Sequence, residues 1–190
     1  MSKTFTAALP GVAALCISTG AHAQMAEIDT LDQAATVDLV NEVTVGEALS
    51  VVTETRIMNV DQQGDAYVIA TAPNGLRFDV RFRACDEGDD PQNAKPGADP
   101  TRHCRGIIIT SAWDALPMER ADELTTLGAR YQQGNPTVNA GMLPDGSPYM
   151  LRYVIADYGT RQGNLVSEFA NFIRSASEFQ SAIATLYEDD

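Results

Sequence analysis

Leu76-Arg77-Phe78-Asp79-Val80-Arg81-Phe82-Arg83-Ala84-Cys85 is the stretch whose pattern decides the fold. Phe78, Val80 and Phe82 alternate with Arg77, Asp79, Arg81 and Arg83, the period-two signature of a strand with one face in a core and the other toward water. Just upstream, Pro73-Asn74-Gly75 predicts a tight turn, since Asn-Gly supplies the positive φ angles of a type I′ hairpin. That turn leads back to a second strand over residues 66–71, and Gln62-Gln63-Gly64-Asp65 joins it to a short strand over 56–60. Three strands joined by turns this short make an antiparallel meander.

Downstream, residues 86–103 lose all periodicity and fill with Asp, Gly, Pro and Asn. A structureless stretch of that length inside a domain needs a reason, and its two ends supply one. Cys85 closes the third strand, and Cys104 immediately precedes a fourth over residues 105–111. Facing residues of antiparallel neighbours lie roughly 4.5–5.5 Å apart at Cα. A disulfide spans about 4.4–6.8 Å, so a Cys85–Cys104 bridge is geometrically compatible. Closing the 18 residues between them stabilises by on the order of 3 kcal/mol in the chain-entropy model.

Helices flank these strands. Thr44-Val45-Gly46-Glu47 has the form of a capping box with Thr44 as N-cap, predicting a short helix to about residue 52 that puts Ala48, Leu49 and Val52 on one face. Trp113 leads into a second helix with Pro117 in its first turn. Met118, Ala121, Leu124 and Leu127 follow at helical spacing, and Gly134-Asn135-Pro136 stops it. A hairpin comes next: residues 137–143, a Pro144-Asp145-Gly146 turn, and a strand over 149–157 in which Leu151, Tyr153 and Ile155 share a face opposite Arg152. The last helix, residues 165–187 with Asn164 as cap, spaces Leu165, Phe169, Phe172, Ala176, Phe179, Ile183 and Leu186 alternately four and three apart. The ordinary reading is a helix lying on the sheet as core, and the alternative is a helix-to-helix seam in a homodimer. The fold class is therefore α+β, an antiparallel sheet of a meander, a fourth strand and a hairpin, packed by helices.

The first 23 residues read as a leader. Lys3 supplies one positive charge, residues 5–17 are mainly apolar, and Ala21-His22-Ala23 is the small-x-small pattern read before Gln24. The apolar run contains Pro10 and Gly11 and falls short of the roughly 20 residues a transmembrane helix needs. Cys16 follows bulky Leu15, where lipid attachment wants a small residue. Residues 24–43 form a polar lead-in, and the domain proper is expected over 44–190. Of 13 basic and 26 acidic residues, cleavage removes only Lys3, which leaves 12 against 26 and a formal charge of −14. Such a balance argues against nucleic acid and anionic membranes, and no membrane insertion is expected after cleavage. Three Cys become two, Cys85 and Cys104, and an even count in an exported chain reads as one bridge.

Chemistry-bearing groups are sparse. His103 is the one histidine left after cleavage, so neither a nucleophile–base pair nor an ordinary zinc set can be assembled, and no catalytic residue, metal ligand or cofactor site is expected. Asp86-Glu87-Gly88-Asp89-Asp90 offers oxygens to calcium but lacks the alternating spacing of a dedicated loop. One constellation remains: Arg77, Arg81 and Arg83 share the polar face of the third strand, with Arg152 joining them from the last one. Arg forks suit carboxylates and phosphates, which makes a small anion or an acidic partner the functional reading of this face. Cross-strand pairing with Asp79 and neighbouring acids is the structural reading.

This order of elements resembles the YbjN-domain family, described as bacterial sensory transduction regulators, whose fold is similar to that of type III secretion chaperones. The resemblance spans residues 44–186. It is carried by Leu76-Arg77-Phe78-Asp79-Val80-Arg81-Phe82 through Cys85, by Cys104 to Ile109 with Trp113, and by Leu151-Arg152-Tyr153. The resemblance implies an exported, non-enzymatic interaction or regulatory module with no catalytic residues or cofactor, an unnamed protein partner and a dimeric tendency, placed in the periplasm of a Gram-negative bacterium or secreted. A periplasmic protein binding a small anion or calcium is the alternative.

Overall fold

Phe78, Val80 and Phe82 are buried, as their alternation requires, on β4 (Arg77–Cys85) of an antiparallel sheet. The structure is a computed structural model, and it describes residues 31–38, 40–86 and 103–188. In chain order the elements are β1 (Thr36–Val37), α1 (Glu42–Ser50), β2 (Thr55–Val60), β3 (Ala66–Thr71), β4, β5 (Cys104–Ala112), a 3₁₀ turn (Met118–Arg120), α2 (Ala121–Gly134), β6 (Asn139–Met142), β7 (Pro148–Ile155), β8 (Thr160–Arg161) and α3 (Gln162–Glu188). Six strands form one sheet in the order β2-β3-β4-β5-β7-β6, while β1 and β8 make a separate two-stranded ribbon, and every named strand pair is antiparallel. The α+β class, the meander, the fourth strand beside β4 and the terminal hairpin are thus all present.

The three hairpin turns share one chemistry. Gly64, Gly75 and Gly146 hold φ angles of 90°, 83° and 87°, and each donates its N–H to the carbonyl three residues back, on Asp61, Ala72 and Leu143. Asn74 is not left-handed, so the 73–75 turn is not the expected type I′. It is a three-residue loop in which glycine alone takes the positive φ. Asn74 serves instead through its side chain, whose Oδ1 accepts the Leu76 N–H at 3.1 Å.

Two helix starts move upstream, each for a physical reason. In α1 the N-cap is Asn41, whose Oδ1 accepts from the Val43 and Thr44 N–H groups at 3.0 Å, while Thr44 Oγ1 accepts the Asn41 N–H in return. Thr44 is therefore the far side of the box rather than the cap. In α3 the first N–H groups need no side-chain cap, because Gln162 and Gly163 donate at 3.0 Å to the carbonyls of Ala35 and Gln33. Residues ahead of α1 also belong to the fold. Val37 and Val40 are buried in the core, and the Cys104 N–H donates to the Val40 carbonyl at 3.0 Å. The domain accordingly begins before residue 44.

One core lies between the sheet and the helices. Leu165, Phe169, Phe172, Ala176, Phe179 and Ile183 of α3 are all buried. The Phe172 ring sits 5.7 Å from that of Phe78, and Phe179 packs between Trp113 at 5.6 Å and Tyr131 at 5.3 Å. Burying one such ring contributes about 1.5–3 kcal/mol. The stripe is spent inside the protomer, so it offers no dimer seam. On α2, Leu124 is buried but Met118 is 68% exposed, because Pro117 remains extended and the chain enters the helix through the 3₁₀ turn. Among the described residues, no helix is long and apolar enough to cross a membrane. The expected leader lies outside the described residues.

Candidate functional site

The helices cover one face of the six-stranded sheet, and the side chains of the other face follow from the register. Arg81 of β4 faces Tyr67 of β3 and Ile108 of β5, and Ile108 faces Tyr153 of β7. The adjacent row runs Ile57, Ile69, Asp79, Thr110, Leu151. This outer face mixes polar and apolar groups, and three of its large apolar side chains stand in water: Ile57, Tyr153 and Ile155 are 60%, 48% and 66% exposed. Tyr153 also covers Gly106, where a Cβ would sit 2.8 Å from the tyrosine oxygen and 2.7 Å from the Val154 carbonyl. The glycine leaves room for the ring to lie across the strand.

Arg77, Arg81 and Arg83 alternate with buried residues and lie on the outer face of β4, while the fourth arginine of the predicted set lies elsewhere. Arg81 lies in the middle of the outer face with its guanidinium 4.6 Å above the Tyr67 ring, bonded to Asp79 at 3.0 Å and Asp61 at 2.9 Å. Partial burial works against its charge, but the two carboxylates outweigh that and raise its pKa. Burial likewise pushes the Asp61 carboxyl up, yet the Asp65 and Gln63 N–H groups and Arg81 hold it below its ordinary value. Arg83 Nη1 donates to the Phe82 carbonyl at 2.9 Å, and Arg77 stands exposed at the end of the face.

Arg152 does not join them. It faces Ile109, and Ile109 faces buried Val80, so it sits on the helix side of the sheet. There its Nε donates to the Glu168 carboxylate and its Nη1 to Thr137 Oγ1 at 2.8 Å. Leu151, Tyr153 and Ile155, the face opposite Arg152 as expected, therefore point away from the core. An alternating strand states which residues share a face, and only its register with β5 states which face is inside.

Cys85 and Cys104 are directly opposite each other and bonded, with a Cα separation of 3.7 Å, closer than the spacing expected from sequence. They occupy a non-hydrogen-bonded position of the ladder, where facing residues approach most closely. The flanking Asp86 N–H donates to the His103 carbonyl at 2.8 Å, and His103 Nδ1 lies 3.3 Å from Asp86. Of the acidic loop considered for calcium, only Asp86 is among the described residues. Among those residues no three His, Cys, Asp or Glu side chains converge as a metal set.

No family model matches this chain, and no curated protein matches it. A solved structure similar to it is that of YbjN from E. coli, a candidate transcription regulator, with 17% identity over 67% of this chain and 78% of that one, at a TM-score of 0.36. The α+β class stands on the topology itself.

Proposed function

We propose that this chain is an exported, non-enzymatic interaction module that works through the outer face of its sheet. The observation that carries the reading is the exposure of Ile57, Tyr153 and Ile155 on the same face of the sheet. Large apolar side chains left in water on the face that carries the Arg81–Asp79 pair combine apolar and charged groups as a protein interface does. Arg77 and Arg83 on the same face add polar contacts that set orientation rather than affinity. The Cys85–Cys104 bond supports maturation in an oxidising compartment, the periplasm or beyond it. The YbjN-like sequence motifs support a regulatory rather than a catalytic role. A small-anion site finds little support, since Arg81 and Arg152 are both occupied by carboxylates.

The test is comparative capture from the envelope fraction. Ile57→Asp with Arg77→Glu alters only exposed side chains of the outer face, and Arg130→Glu alters an exposed position on α2 as control. The reading expects the first variant to lose its partner with an unchanged melting temperature and the control to keep it. Equal capture by all three proteins contradicts it.

A further inference from the structure

The two edges of the six-stranded sheet are treated differently. The Asp61 N–H bonds the Asp65 carbonyl at 3.0 Å, which sets the odd residues of β2 against β3 and turns the main-chain groups of Arg56, Met58 and Val60 outward. That edge is guarded: Asn59 Oδ1 takes the Val60 N–H at 2.9 Å, and exposed Arg56 places a charge on it. Natural sheets block unwanted strand addition with such devices.

At the opposite edge, β6 covers β7 only as far as the Asn139–Leu151 pair. The Ala156 N–H donates to the Arg105 carbonyl at 2.8 Å, so the even residues of β7 serve β5 and the odd ones face β6. Beyond Leu151 those odd residues are Tyr153 and Ile155. The strand that would meet them has turned away, with the Val138 N–H bonded to the Asn135 carbonyl at 3.2 Å. Among the described residues, nothing pairs with the N–H and C=O groups of Tyr153 and Ile155. A groove of about 650 Å³ opens beside them, between Pro136, Thr137 and Asn139 on one bank and β7 on the other, with Glu168 also in its lining.

From this we infer that the edge of β7 at Tyr153 and Ile155 receives an extended segment of a partner protein, laid in line with β6. The inference rests on the interaction-module reading and specifies the mode of contact. Main-chain groups spaced for a strand select an extended backbone. Alternate residues of the segment would lie beside Tyr153 and Ile155 and are therefore apolar, while those between them face the closed Arg152–Glu168 pair. The formal charge of −13 selects a net basic segment and disfavours a second copy of this chain.

Amide-resolved hydrogen exchange on the full chain tests this. The probe is a short peptide alternating valine and lysine, beside the same peptide N-methylated at alternate amides. In the free protein the Tyr153 and Ile155 amides exchange fast while the intervening Val154 amide, bonded to β5, is protected. The plain peptide slows Tyr153 and Ile155 by about tenfold or more, and the methylated one does not. Ile155→Pro removes one outward N–H without touching the β5 ladder and abolishes the protection at Tyr153. Should that variant fail to fold, the methylated peptide makes the same deletion from the ligand side. Protection already present in the free chain, protection that rises with the concentration of the protein alone, or saturation without slowing overturns the inference. If the edge amides stay silent while capture remains sensitive to Ile57→Asp, the edge inference falls and the outer-face reading stands. If capture is insensitive as well, both fall.

Discussion

Arg152 Nε donates to the Glu168 carboxylate across the helix side of the sheet, where the two side chains are 11% and 31% exposed. Strand β7 is thereby fastened to α3 by a charged pair rather than by apolar contact alone. Removing one partner strands the other in a half-dry site, so Arg152→Ala costs about 1–3 kcal/mol. Glu168→Ala costs more, because the group it strands, Arg152, has less water around it than Glu168. A double-mutant cycle followed by urea denaturation should give a coupling of about 1 kcal/mol. Additive single effects would mean that the pair contributes nothing.

Glycine-to-alanine changes in two helices should act with opposite sign. Gly46 in α1 has nothing within 4 Å of the position a Cβ would take, so Gly46→Ala stabilises by about 0.5–1 kcal/mol. Gly128 in α2 rests on β6, where a Cβ would meet the Ala140 carbonyl oxygen at 3.0 Å and Gly141 Cα at 3.3 Å. Backbone cannot swing aside as a side chain does, and Gly128→Ala destabilises by about 1–3 kcal/mol. Paired thermal melts decide it, and a stabilising Gly128→Ala would contradict the close approach of α2 to the hairpin.

Acid should act through Asp61. Its carboxyl is held below the ordinary value of 3.8 despite the opposing effect of burial. A depressed folded-state pKa gives stability that is present above the unfolded value and lost as pH falls through the folded one. Asp61→Asn removes that dependence, so the variant's stability should change less than the wild type's between about pH 4 and pH 2. Superimposable acid limbs would contradict the Asp61–Arg81 geometry.

Alkali should act through Tyr131. Burial, then the nearby Glu178 charge, pushes its phenol up to about 12. Its hydroxyl donates to the Ser175 carbonyl at 2.7 Å and must keep its proton to do so. A raised folded-state pKa gives stability that is present below the unfolded value and lost as pH rises through the folded one. Tyr131→Phe should therefore flatten the decline in stability between about pH 10 and pH 12. Ultraviolet titration of the wild type should show a tyrosine ionising late, and its absence would contradict the contact.

Much of this architecture is legible because strands and helices print their period on the sequence. Phe78, Val80 and Phe82 fix the buried face of β4, and the α3 stripe from Leu165 to Ile183 falls in the core as its spacing requires. Local patterning loses its reach where a distant segment does the work. The start of α3 is satisfied by the Gln33 and Ala35 carbonyls, which no residue near Gln162 announces. Arg152 left the expected arginine face for a related reason. Arg81 and Arg152 look equivalent along their own strands, but the pairing of Ile109 with both Val80 and Arg152 sends Arg152 to the opposite side. Tyr153 and Ile155, grouped from sequence as one face of a strand, became surface residues through the same register.

The whole account depends on a chain that is finished outside the cytoplasm, with Cys85 joined to Cys104 across neighbouring strands. Intact-mass spectrometry of the protein purified from its natural source, alkylated with and without prior reduction, tests this directly. The expected species begins at Gln24, takes up no alkylating agent until reduced, and then takes up one at each cysteine. A species that retains residues 1–23 and is alkylated at Cys85 and Cys104 without reduction would contradict both the compartment and the bridge.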